Sequence, residues 1–241
     1  MARRLDLRWA LKGLVRSRSG LQLVLLDGTF DALPSVVGEG RRVLGNIERT
    51  SNLYLTKTVY AMVLSLAVGV ASVAFPFLPR HLTLIGALTI GIPSFFLALA
   101  PSAERFRPGF VHRVLRFTIP TGILAATATF LGYRLATHEP GVTMIQARTT
   151  AVMTLMFVGL LVLSIVAAPL NRWRLALVWA MGVLAVLSFV LPATQSFFAL
   201  DPPPLTVWLA SIGIAALTWT LARFFVPEER PVGTRWRGED D

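Results

Sequence analysis

The stretch from Leu23 to Leu99 constrains the fold most, because a charged amphipathic segment runs without a break into apolar sequence of membrane length. The charged part carries Leu25-Leu26-Asp27, Glu39-Gly40-Arg41-Arg42 and Asn46-Ile47-Glu48-Arg49, and ends at Lys57. The apolar part turns at Pro76-Phe77-Leu78-Pro79 and returns as a second run from Leu82 to Leu99. Crossing a hydrocarbon core takes about 20 apolar residues, so the pair reads as a helical membrane hairpin fed by a polar stalk.

The rest of the chain agrees. Of 241 residues, 54% are hydrophobic and 15% charged, with a mean hydropathy of +0.64; soluble domains carry about 25% charged residues. Six runs can span a bilayer, near 58–78, 81–100, 117–137, 149–168, 174–191 and 205–226, and none holds an Asp or Glu. Arg134 and Arg223 fall at span ends, where long side chains reach the headgroups. The lipid bilayer is therefore the expected partner. A net charge of +10 does not point to nucleic acid, which needs a basic face on a soluble domain. The absence of cysteine excludes disulfides, iron–sulfur clusters and thiolate zinc sites.

Orientation follows from the basic residues. With the N-terminus inside, segments 1–57, 101–116, 169–174 and 223–241 hold all Lys and Arg except Arg80, Arg134 and Arg148. Positive loops stay inside, so both termini are expected to be cytoplasmic, in a multi-pass protein of the plasma membrane. Met1–Gly20 is basic, but no apolar core with a small-residue cleavage site follows it. The tight connections fall at 78–81 and 168–174 and the longer ones at 101–116, 137–148 and 191–205, which suggests three helical hairpins. Asp201-Pro202-Pro203-Pro204 makes a rigid turn that excludes helix.

Asp31 followed by Pro34 suits a helix start. Val36, Val37, Val43, Leu44, Ile47 and Tyr54 recur at helical spacing, with Glu39, Arg41, Arg42, Glu48 and Arg49 on other faces. That helix can continue through Lys57 into the first span as one rod suited to carrying motion into the membrane. The other reading is an amphipathic helix lying on anionic lipid. In the second span Gly86, Gly91 and Pro93 weaken backbone bonding at membrane depth, and Thr83, Thr89 and Ser94 offer oxygens. Such backbone is tolerated where protein buries it or water reaches it; the span is either part of an ion path or a Pro-kinked packing helix whose small residues serve helix contacts.

In this order the features resemble the P-type cation-transporting ATPases, in the bacterial calcium- and magnesium-type branch. The segments that carry the resemblance are Leu25-Leu26-Asp27, Glu39-Gly40-Arg41-Arg42, Asn46-Ile47 and Thr89-Ile90-Gly91-Ile92-Pro93-Ser94-Phe95-Phe96-Leu97-Ala98-Leu99. They are similar to the exit from the phosphorylation domain and to membrane helices five and six; the later spans match in number and hydropathy. The resemblance implies an all-α integral membrane fold with a cytoplasmic stalk helix and six transmembrane helices, corresponding to helices five to ten. It implies boundaries of a basic segment at 1–22 that is non-native or disordered, the end of the phosphorylation domain plus stalk at 23–57, the membrane domain at 58–226 and a charged tail at 227–241. The ion-pathway candidates are Thr89, Pro93, Ser94, Tyr60 and Ser65. The coupling-stalk candidates are Glu39, Arg41, Arg42, Asn46 and Lys57. An inorganic cation, calcium or magnesium, is the implied cargo.

The chain contains neither Asp-Lys-Thr-Gly nor Gly-Asp-Gly-x-Asn-Asp, and no Gly-rich phosphate loop. ATP and magnesium are therefore expected to bind domains outside it, and alone the chain should not hydrolyse ATP. A truncated or frameshifted gene and a separate chain carrying the ATPase domains both account for this, while a stand-alone six-span scaffold or passive permease is the alternative. His81, His112 and His138 share no metal-ligand spacing and read as interfacial residues, and Trp173 and Trp208 read as belt residues.

Overall fold

The computed structural model describes residues 33–99 and 109–225, and all regular structure among them is helical. Asp31 and the segments 1–22 and 227–241 lie outside the described residues, as does the 23–32 portion of the expected stalk. The chain divides into two units, Met1–Arg41 and Arg42–Asp241; the account below concerns the second. The helices are α1 (Leu33–Ala71), α2 (Pro79–Gly86), α3 (Ile92–Leu99), α4 (Phe110–His138), α5 (Met144–Val166), α6 (Arg172–Val190), α7 (Pro192–Phe198) and α8 (Leu205–Phe225). A five-residue π-segment, Ala87–Gly91, joins α2 to α3. Six stretches are long and apolar enough to cross a membrane: Val43–Ala71, Pro79–Leu99, Phe110–His138, Met144–Val166, Arg172–Val190 and Leu205–Arg223.

Local chemistry sets the boundaries. α1 carries Pro34 in its first turn, where a missing N–H costs nothing. It stops at Ala71 rather than near 78, because Ser72 turns into the left-handed region (φ 52°) and Pro76 blocks continuation. α2 begins on Pro79, and the Leu78 N–H donates to His81 Nδ1 at 3.2 Å, an N-cap made by the histidine. His81 is fully buried, so it is a capping residue inside the fold and not an interfacial one. α5 starts with a capping box in which Gln146 N–H donates to Thr143 Oγ1 (3.2 Å) and Thr143 N–H to Gln146 Oε1 (3.0 Å). That earlier start reduces the α4–α5 connection, expected to be long, to residues 139–143. The Arg174 N–H donates to Asn171 Oδ1 (2.8 Å), and its guanidinium, also buried, donates to the Pro169 carbonyl (3.2 Å) across the α5–α6 turn.

The core lies around α5. Two-thirds (67%) of its apolar window is buried, against 28% for the windows in α1 and α8. Small residues let the backbones close on it. Gly132 of α4 faces Thr154 so tightly that an added Cβ would lie 2.7 Å from Thr154 Oγ1, the small-residue packing expected between membrane helices. The first two expected hairpins form, but the third does not close on itself. α8 packs mainly against α4 and α5, while α6 lies against α5, the π-segment and α3. The reason is the connection: α7 fills residues 192–198, the proline run at 202–204 stays extended, and the Asp201 N–H is tied to Thr149 Oγ1 of α5 at 2.9 Å. Trp208 joins the core against Phe157 and Phe189 instead of a headgroup belt, whereas Trp173 is exposed and meets Phe96 edge-on.

Candidate functional site

Pro93 lacks the N–H that would bond the Thr89 carbonyl, and its ring crowds that carbonyl. The chain absorbs this by widening the preceding turn: Ala87–Gly91 is a π-segment, with the Ile92 N–H bonded to the Ala87 carbonyl. The interruption expected from Gly86, Gly91 and Pro93 is thus a π-turn, a feature frequent at functional sites, and not an unwound gap. It presents Thr89 and Ile90 toward α1, α4 and α5.

At that level the helices line a small, half-open cavity of about 20 Å³, room for roughly one water-sized ligand. Thr56, Lys57 and Tyr60 line it from α1, Thr89 from the π-segment, and Ala125, Leu155, Val158 and Gly159 supply most of its apolar wall. Thr56, Tyr60 and Thr89 are 5%, 6% and 4% exposed. The Thr89 hydroxyl donates to the Ile85 carbonyl at 2.7 Å, which leaves its lone pairs free to accept. Thr56 Oγ1 is buried and has no hydrogen-bond partner. Thr89 is held from behind by Gly159, where a Cβ would approach within 2.8 Å of Thr89 Cγ2. Lys57 Nζ lies over Gly86, 3.5 Å from where a Cβ would sit.

Two of the five sequence candidates for an ion pathway, Tyr60 and Thr89, therefore meet at one place. Pro93 is buried beside the π-segment whose geometry it causes. The Ser94 hydroxyl donates to the Gly91 carbonyl at 3.0 Å, and Ser65 lies on an exposed face of α1. Among the stalk candidates, Lys57 lines the cavity, and Asn46 Nδ2 donates to the Ala98 carbonyl at the end of α3 (2.7 Å). Glu39, Arg41 and Arg42 are on α1 with side chains outside the described residues. Thr56 was not among the candidates, although it lies one turn before Tyr60 on the same helix face. A second feature gave no sequence signal at all: Glu48 of α1 and Arg113 of α4, 65 residues apart, form a bidentate ion pair with Nε–Oε1 3.0 Å and Nη2–Oε2 2.9 Å.

No carboxylate lines the cavity, and no group of three or more His, Asp or Glu gathers among the described residues. Calcium takes six to eight oxygens; the lining offers three side-chain hydroxyls, from Thr56, Tyr60 and Thr89, beside the Lys57 side chain. The same set does not fit a magnesium–nucleotide site, and no step through ATP is assigned to this chain.

Comparison with known proteins gives the lineage. The chain is 44% identical to the calcium-transporting ATPase CtpE of Mycolicibacterium smegmatis, over 92% of its own length and 30% of that protein's. It is 42% identical to the protein of the same name from Mycobacterium tuberculosis, over 83% of this chain and 27% of that one. It is 26% identical to a probable cation-transporting ATPase, exp7, of Streptococcus pneumoniae, over 69% of this chain and 22% of that one. The chain thus spans about 30% of the length of the curated relatives it matches. No protein-family model matches it.

Proposed function

Because this chain is a relative of the bacterial P-type cation-transporting ATPases and a multi-pass membrane protein, we propose that it forms part of the membrane domain of a cation pump. In this reading α1 is the stalk that carries ATP-driven movement into the bilayer, and the cavity at Thr56, Tyr60 and Thr89 is one side of the cation path. The names of the relatives favour calcium as the cargo. The nucleotide and magnesium bind ATPase domains outside this sequence, on the same or a second polypeptide. The basic-residue asymmetry supports a reading with cytoplasmic termini and the Glu48–Arg113 end of the bundle inside, in the plasma membrane.

The observation that carries the reading is the coincidence of the π-turn with the buried hydroxyls. Thr89 is offered by backbone that Pro93 has displaced, and it meets an unsatisfied Thr56 hydroxyl in a space of ligand size. In a helix built only for packing, each hydroxyl would be satisfied by its own turn.

ATP-dependent calcium uptake into inverted vesicles from the native membrane tests this. Uptake that disappears when the gene is deleted, and returns with the wild-type gene but not with Thr89→Val, fits the proposal. Uptake unaffected by deletion sinks it in favour of a scaffold or passive permease.

A further inference from the structure

Between the Glu48–Arg113 ion pair and the cavity, α1 and α4 run in the same direction in fixed register. Glu48 faces Arg113 at one level. About three turns further along, Val59 faces Gly122, where an added Cβ would lie 2.5 Å from Val59 Cβ and 3.2 Å from the Thr56 carbonyl. Interpolating between those contacts sets Thr118 of α4 at a level between Asn52 and Thr56 of α1, with Thr56 the nearer of those two to the cavity.

These three residues share an anomaly. Asn52 Oδ1, Thr118 Oγ1 and Thr56 Oγ1 are all buried and have no hydrogen-bond partner within the chain. Thr118 is 0% exposed. Neighbouring threonines of α4 behave otherwise: Thr121 donates to the Phe117 carbonyl and Thr129 to the Ala125 carbonyl, each at 2.7 Å. A hydroxyl in a membrane helix gives up its own backbone bond only for a partner that is at least as good. Three such groups in one seam, two of them able both to donate and to accept, match the two to four polar partners that buried water requires.

We propose that the α1–α4 seam holds a short file of ordered water molecules, anchored by Asn52, Thr118 and Thr56, which joins the cavity to the bundle end that carries Glu48 and Arg113. The file satisfies the three side chains and supplies a polar route along which a cation entering or leaving the cavity can exchange its hydration shell. The route's role in transport rests on the pump reading; the water site itself does not.

The two are separated by experiment. Thr118→Val and Thr56→Val keep shape and remove one hydroxyl each. If the seam is dry, each substitution deletes an unsatisfied buried group and raises the thermal unfolding midpoint of the solubilised full chain. If water is held there, each strands a water partner and lowers the midpoint by about 2–4 °C. Hydroxyl-radical labelling in oxygen-18 water gives a second measurement, with side chains along the seam expected to label in wild type and to lose label in the Thr118→Val/Thr56→Val pair. A raised or unchanged midpoint together with an unlabelled seam overturns the proposal. In the vesicle assay the pair should slow calcium uptake about tenfold, the scale of one lost charge-solvating contact; uptake at the wild-type rate would refute the route. Absence of uptake in wild type would refute the pump reading, leaving midpoint and labelling to judge the water.

Discussion

On α5, Thr149, Thr150 and Thr154 are fully buried, and each donates to the carbonyl four residues earlier at 2.8–2.9 Å. On α1, Thr56 is about as deeply buried, and its hydroxyl is left without a partner beside a cavity. The two helices are neighbours in one apolar medium, so the difference is one of use. α5 is the post around which α4, α6 and α8 are packed, and these hydroxyls are all satisfied within the chain, by their own turn and, for Thr149, also by the Asp201 N–H, which makes it safe to bury. α1 and the π-interrupted α2–α3 helix keep oxygens in reserve. Thr89 stands between the two cases: it back-bonds like the α5 threonines, yet it does so from a widened turn and opens onto the cavity.

Substitutions can break this contrast or sharpen it. The largest effect is expected where α1 is seated on α4. Gly122→Leu forces side-chain atoms into Val59 and the Thr56 carbonyl, and overpacking of this kind costs about 3 kcal/mol. It should appear as a large fall in the unfolding midpoint of the solubilised chain. Next comes the turn that leaves the post: Arg174→Met, on α6, removes the buried guanidinium that donates to the Pro169 carbonyl in the α5–α6 turn, at about 2 kcal/mol for bonds from a charged donor, read in the same assay. Glu48→Gln weakens a bidentate pair whose side chains are 19% and 28% exposed, and should cost about 1 kcal/mol, with the loss shrinking at high salt. The smallest effect is expected on α5. Thr154→Val removes one back-bond, at about 0.6 kcal/mol by comparison with other membrane helices, and should leave cation uptake untouched.

Helix number, helix type and the stalk-to-span continuity of α1 were legible in the sequence, because twenty-residue apolar runs and 3.6-residue periodicity are strong signals. Pro93, Gly86 and Gly91 correctly marked the interrupted helix. Whether the chain would unwind or widen there was not readable, since that depends on what packs around Thr89, notably Gly159. Tyr60 and Thr89 were found because polar residues inside apolar runs stand out. Thr56 was hidden by its neighbours, and Lys57 was read as a stalk residue and not as one lining the cavity, since both close a stretch that reads as stalk. Ser65 looked equivalent to Tyr60 by composition, but it is five residues on, about 140° around the helix, and points away from the bundle interior. Long-range partners left no trace: nothing in the sequence pairs Glu48 with Arg113 or sends α8 to α4 and α5 instead of α6. His81 read as an interfacial residue, whereas its imidazole is buried and caps α2 by accepting from the Leu78 N–H.

Under the proposed function, hydroxyls at the cavity serve the cation and hydroxyls on the post serve the fold. This division is tested most directly by comparing Thr89→Val with Thr154→Val for the calcium dependence of ATP-driven uptake in native-membrane vesicles. Both remove a single back-bonding threonine hydroxyl, so both should lose a similar, small amount of stability. Thr89→Val should then require at least about tenfold more calcium for half-maximal uptake, the equivalent of one lost oxygen ligand at roughly 1.4 kcal/mol, while Thr154→Val stays at the wild-type value. Equal calcium dependence in the two variants would contradict the assignment of the cavity to the cation path.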